Sequence, residues 1–164
     1  MQIGSLAPDF QLPLHTGEEF RLSSNRGKTN VVLYFCTKDF PGNWTKDRRS
    51  VSKNLKEIER LGAKIIGIST DSSDNHRMLV QEFNFSFPLA SDPRMEVFRN
   101  YRTLWLRGLA IRQITYVIDK QGIIRGKTHN ELLVDRHWDY VLRILRELND
   151  EESMTRYNRQ SWNL

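Results

Sequence analysis

Val31, Val32, Leu33, Tyr34 and Phe35 form an unbroken apolar run of β-branched and aromatic side chains, which reads as a central, buried strand. A strand of that kind commits the chain to a sheet with other elements packed around it. Directly after it, Thr37 to Trp44 turns through Pro41-Gly42-Asn43. Thr45 then stands as an N-cap, with Lys46, Asp47 and Arg48 in the first helical turn. Strand, tight loop and helix start therefore fill Asn30 to Arg49. A helix N-terminus presents unpaired N–H groups and partial positive charge, the setting that lowers a thiol's pKa. No cysteine stands at this helix start; the chain's one cysteine, Cys36, ends the strand.

The remaining elements follow from local pattern. Phe10–Leu14 and Glu19–Leu22 alternate apolar and polar residues around His15-Thr16-Gly17-Glu18, which predicts a β-hairpin. Val51, Leu55, Ile58 and Leu61 share one helical face ending at Gly62. Lys64–Thr70 is a second core strand, and Ser72 or Ser73 caps a helix to about Phe83. Phe85–Leu89 reads as a short extended piece that Pro88 confines to an edge, and Pro93 opens a short helix through Tyr101. Thr103–Arg112 is left as a loop. Ile114–Ile118 and Ile123–Lys127 form a hairpin, and Asp135 caps a last helix carrying the stripe Trp138, Val141, Leu145 and Leu148. The predicted fold is α/β: a three-layer sandwich with a mixed central sheet flanked by helices and an N-terminal β-hairpin. The expected domain covers residues 1–148, and 149–164 is expected to be a loose, polar C-terminal tail.

At 164 residues, with a hydrophobic share of 38% and a charged share of 27%, the composition suits one water-soluble globular domain. No run approaches the length of a membrane span, and the start lacks a basic, then apolar, leader. A single cysteine excludes an internal disulfide and any two-thiol cycle within one chain, so the expected compartment is the cytoplasm. The net charge of +5 reads as a solvated basic surface.

The segment YFCTKDFPGNWTKD resembles the active-site segment of the peroxiredoxins, and most nearly the peroxiredoxin Q (bacterioferritin-comigratory) branch. The segments IGSLAPDFQLPLHTGEEFRLSS, KIIGISTDS, FPLASD and ITYVIDKQGIIR are similar to other parts of that family, so the likeness covers about Ile3 to Leu148. It implies a thioredoxin-like fold and thiol-dependent peroxide reduction without a cofactor. The family motif P-x-x-x-T-x-x-C departs here position by position. Its proline falls at Thr37, its threonine at Pro41, and its peroxidatic cysteine at Trp44, or at Asn43 if the Pro-Gly pairs are aligned. The branch's resolving cysteine falls at Arg49, and the activating arginine at Gln113, with Arg112 beside it.

Cys36 shares a strand face with Val32 and Tyr34 at the end that borders the site mouth. It reads as a small buried apolar residue rather than as a relocated nucleophile or redox sensor. Trp44 is either an aromatic plug over the former pocket or a half-buried loop residue. His15, His76, His129 and His137 show no metal-ligand spacing and are expected to be structural, with His137 on an exposed helix flank. Arg94, Arg99, Arg102, Arg107 and Arg112 fall within nineteen residues. With Arg48 and Arg49 they suggest either solvated faces or a site for an anion or acidic protein segment, with Arg48, Arg49 and Arg112 as candidate contacts. No nucleic-acid partner and no membrane insertion are expected, and the chain is expected to be a monomer or homodimer. Two functions follow: a degenerate, non-catalytic binding or assembly module, or a one-cysteine thiol peroxidase or redox sensor using Cys36.

Overall fold

The computed structural model describes residues 1–36, 53–84, 87–105, 110–129 and 134–161. The chain opens with the antiparallel hairpin β1 (Gln11–Pro13) and β2 (Glu19–Arg21), in which Leu12 faces Phe20. A 3-10 turn (Leu22–Asn25) leads into β3 (Asn30–Phe35), every residue of which is buried. A helix over residues 53–60, α1, stops at Gly62, whose φ of 70° is the left-handed end that glycine accepts without strain. Then come β4 (Ala63–Ser69), α2 (Ser73–Phe83), β5 (Leu89–Ser91), α3 (Glu96–Asn100), β6 (Leu104–Trp105), β7 (Ala110–Ile111), β8 (Ile114–Ile118), β9 (Ile124–His129) and α4 (Val134–Ser161).

Five strands form one sheet in the order β5-β4-β3-β8-β9. β3 runs parallel to β4 and antiparallel to β8, so the sheet is mixed and β3 sits at its centre. Alternation along β3 splits the core in two. Val32, Tyr34 and Cys36 pack with Ile58, Leu61 and the α4 stripe Trp138, Val141, Leu145 and Leu148. Val31, Leu33 and Phe35 face Phe98, Tyr101, Tyr116 and the hairpin residues Leu12 and Phe20. This is the thioredoxin-like three-layer arrangement that the sequence predicts. At Gly67 in β4 an added Cβ would lie 2.7 Å from a Leu89 methyl carbon, so a glycine is what lets β5 and Phe87 close on the sheet.

Several boundaries differ from expectation, each for a local reason. The edge strand begins at Leu89, after Pro88, and so overlaps the expected Phe85–Leu89 segment only at its last residue. Pro93 does not open α3. The Asp92 carboxylate accepts the backbone N–H groups of Glu96, Val97 and Phe98 at 3.0, 2.9 and 3.1 Å, which fixes the helix start at Glu96. Thr103–Arg112, expected as a loop, contains the β6–β7 ribbon. Asp135 lies inside α4, which already includes Val134, so it does not cap that helix.

The largest correction concerns the C-terminal tail. Residues 149–161 continue α4, giving a helix of 28 residues and about 42 Å. Arg125 on β9 binds Glu151 at 2.7 and 2.9 Å, and Lys120 in the β8–β9 turn binds Glu152 at 2.7 Å. The extension is held by ion pairs to a distant turn, and a polar segment without apolar period gives no sign of that.

Candidate site at the carboxyl end of the central strands

The carboxyl end of β3 is where the sequence reading expects the site. Cys36 extends the parallel ladder by one bond, its N–H donating to the Ile68 carbonyl at 2.9 Å. Its Sγ donates to the Tyr34 carbonyl at 3.4 Å, and the residue is 1% exposed. Strand alternation turns the thiol toward the α4 layer, among Tyr34, Trp138 and Val141 in the apolar core. Its place is that expected of a small buried apolar residue.

β8 enters the same end from the opposite direction. Tyr34 pairs with Thr115, and two residues further along each strand stand Cys36 and Gln113. The antiparallel register thus brings Gln113, where the sequence resemblance would put the family's activating arginine, alongside the end of β3. Gln113 is half-buried there. Arg112 is exposed, and its guanidinium carbon lies 5.0 Å from the centre of the Trp105 ring, a cation–π contact across the β6–β7 ribbon. The backbone N–H of Arg112 donates to the Thr103 carbonyl at 2.8 Å, which extends the β6–β7 ladder by one bond. Thr37, Pro41, Asn43, Trp44, Arg48 and Arg49 lie outside the described residues, as does Arg107. The Arg99 guanidinium donates to the Arg94 carbonyl at 2.8 Å beside α3.

On the α4 side lies a polar group that periodicity did not reveal. His137 is 3% exposed, not on an exposed flank as expected. The first turns of α4 lie against β8, where the Thr115 hydroxyl is 3.0 Å from His137 Nε2. Its ring is 4.9 Å from that of Trp138 and 6.2 Å from that of Tyr34, centre to centre. Burial pushes the His137 pKa down to about 4, partly offset by the backbone of His129. Among the described residues, His137 Nδ1 and Trp138 Nε1 are buried with no hydrogen-bond partner. Among the described residues no group of three or more His, Cys, Asp or Glu side chains is placed to hold a metal ion. Nor is any described helix long and apolar enough to cross a membrane.

Residues 3–127 match the model of the AhpC/TSA family. The chain is 33% identical over 158 residues to a chloroplastic 2-cysteine peroxiredoxin of Chattonella marina var. antiqua, covering 90% of this chain and 80% of that protein. A chloroplastic peroxiredoxin Q of Sedum lineare is 30% identical over 146 residues, covering 88% of this chain and 78% of that protein. Among solved structures, the peroxidoxin BcpB of Mycobacterium tuberculosis superposes with a TM-score of 0.81 at 29% identity, covering 90% of this chain and 98% of that one. Hairpin, mixed sheet and site register thus agree with a sequence likeness spanning most of the chain, which belongs to the AhpC/TSA family, the peroxiredoxins.

Proposed function

We propose that this chain is a non-catalytic peroxiredoxin that serves as a binding or assembly module in the cytoplasm. The observation that carries the reading is its single thiol, Cys36, which is 1% exposed at the end of β3. Peroxide reduction needs a thiolate that meets the peroxide beside donors for the departing oxygen. The sequence has no cysteine at Asn43, Trp44 or Arg49 and no arginine at Gln113. Supplied with peroxide and either dithiothreitol or thioredoxin, the purified protein is expected to consume peroxide at the buffer rate, with Cys36→Ser making no difference. Turnover that Cys36→Ser abolishes would overturn the reading in favour of a one-cysteine peroxidase. Thiol labelling of the folded protein with and without peroxide separates a redox sensor, whose thiol must be reachable and oxidisable.

The binding role rests on charge. Arg112 is exposed beside Trp105 and next to Gln113, and Arg48 and Arg49 follow the Pro41-Gly42 pair in sequence. Arginine beside an aromatic ring suits an acidic protein segment or another anion. Exposed charges are screened over about 8 Å at physiological ionic strength, so such binding weakens with salt. Pull-downs with wild type and an Arg48→Glu/Arg49→Glu/Arg112→Glu variant are expected to differ at low salt and converge at high salt. An identical partner set in all four conditions would remove the idea.

A further inference from the structure

At the edge of the sheet, next to the strand end that holds Cys36, a chain of buried polar side chains joins three elements. His76 on α2 is 0% exposed. Its Nε2 lies 2.6 Å from Ser69 Oγ at the end of β4, and its Nδ1 lies 3.0 Å from Ser91 Oγ at the end of β5. Ser69 Oγ accepts the Asp71 backbone N–H at 3.1 Å and is 3.4 Å from the Asp71 carboxylate. Ser91 Oγ is 3.1 Å from Ser73 Oγ in the first turn of α2. Ser69, Asp71 and Ser91 are all buried. One imidazole thus ties helix, inner strand and edge strand to one another. Ser69 follows Ile68, the residue whose carbonyl receives the Cys36 N–H.

We infer that His76 is the pin of an acid-released latch: neutral, it holds α2 and β5 against β4, and charged, it lets them leave the sheet edge before the rest of the domain unfolds. With the ring neutral, one nitrogen donates and the other accepts, and hydroxyl rotation satisfies every member of the chain. Adding a proton makes both nitrogens donors, which the two serine oxygens can still receive. What changes is a full charge at a fully buried position.

The groups that face it decide whether that charge is compensated. Asp71, in the turn between β4 and α2, favours the charged ring, with Ser69 Oγ standing between its carboxylate and the imidazole. His15, in the hairpin turn, opposes it and has its own Nδ1 occupied by the Leu89 N–H at 3.1 Å. Asp92 after β5 is committed to the three amides of α3. Asp74 and Arg77 on α2 pair with each other. Burial outweighs Asp71, and the ring's pKa falls to about 4. Release stays local because α2 leans on the core mainly through the half-buried Leu79 and Val80 and β5, though buried, is a three-residue edge strand, whereas β3 is buried along six residues at the centre of the sheet.

The test is amide hydrogen exchange on the full chain between pH 7 and pH 5, corrected for the intrinsic rate at each pH. One proton taken up by the open form, with pKa values of 6.5 open and about 4 closed, raises the opening constant about twentyfold over that range. The α2 and β5 amides are expected to lose protection by that factor through an opening of lower free energy than that of β3 and β8, whose exchange needs global unfolding and therefore also carries the titration of His137. His76→Gln, which hydrogen-bonds but does not titrate, is expected to abolish the dependence, and His137→Gln to leave it intact. Following the His76 ring itself by NMR in the wild type gives a readout that no variant's folding can confound, since its protonation and the opening must coincide. The inference fails if α2 loses protection only together with β3, if His76→Gln keeps the pH dependence, or if His137→Gln removes it.

Discussion

Between pH 7 and pH 4 the folded state is expected to lose about 3 to 6 kcal/mol of stability, most of it above pH 4.5. His137 and His76 are both buried and held neutral, each with its pKa lowered from 6.5 to about 4. In the unfolded chain each takes up a proton near pH 6.5. In the folded chain each stays neutral until about pH 4. The unfolded state therefore binds more protons throughout that window, and stability falls as pH falls. His137 accounts for about 3 kcal/mol, while the share of His76 is capped by the cost of opening α2. Asp92, whose carboxyl is pushed up by burial, works in the opposite sense and offsets part of the loss. Asp9 and Glu57 have lowered pKa values, and their stabilisation disappears only as pH falls through the acid end of the window and below it. Such a loss is comparable to the whole stability of an ordinary domain. Urea titrations at pH 7, 5.5 and 4 measure it directly. His137→Gln is expected to flatten the curve, at some cost at neutral pH, and an unchanged midpoint from pH 7 to 4.5 in the wild type would sink the explanation.

Phe35→Ala is expected to destabilise the protein by about 3–5 kcal/mol and to lower its Tm by roughly 10 °C. Phe35 is fully buried at the end of β3, with its ring centre 5.1 Å from Phe98, 5.3 Å from Tyr101 and 6.0 Å from Tyr116. Those three rings cannot collapse into the space it would leave, because two are tethered. The Tyr101 hydroxyl donates to the Pro8 carbonyl at 2.8 Å, and the Tyr116 hydroxyl donates to the Tyr101 carbonyl at 2.7 Å. A cavity that stays open carries the full penalty of lost contacts. Tyr101→Phe removes one hydrogen bond and no volume, so its cost is about 1 kcal/mol, less the desolvation it spares. Thermal and urea unfolding of both variants separate the two terms. A loss below about 1 kcal/mol for Phe35→Ala would mean that the aromatic cluster repacks freely.

Of the candidate site, the place and the burial of Cys36 were legible in the sequence. The place of Cys36 at the end of the central strand follows from the apolar run before it, and its burial follows from alternation with Val32 and Tyr34. The pairing of Gln113 with the strand that carries Cys36 was legible only through family likeness, since nothing local to Gln113 specifies a partner 77 residues away. His137 went unread for a different reason. It stands next to the Trp138 of the apolar stripe, and a helix shows its buried arc only to within a residue at its first turn. The Thr115 hydroxyl that makes its burial tolerable comes from another strand.

The sequence by itself determined what depends on neighbours along the chain. It set the all-buried β3, the Ser72 cap that accepts the Asn75 N–H at 3.2 Å, and the left-handed stop at Gly62. These are choices among a few local conformations, and side-chain type alone biases them. Only the tertiary structure decided where polar groups end up when their partners are distant. It carried α4 through Ser161 on the Arg125–Glu151 and Lys120–Glu152 pairs, 26 and 32 residues apart, and it closed Ser69, His76 and Ser91 into one buried chain. An apolar side chain is stabilised by any neighbour that excludes water, so its pattern can be read alone. A polar side chain is stabilised only by a particular partner at hydrogen-bond distance, and that partner is chosen by the fold.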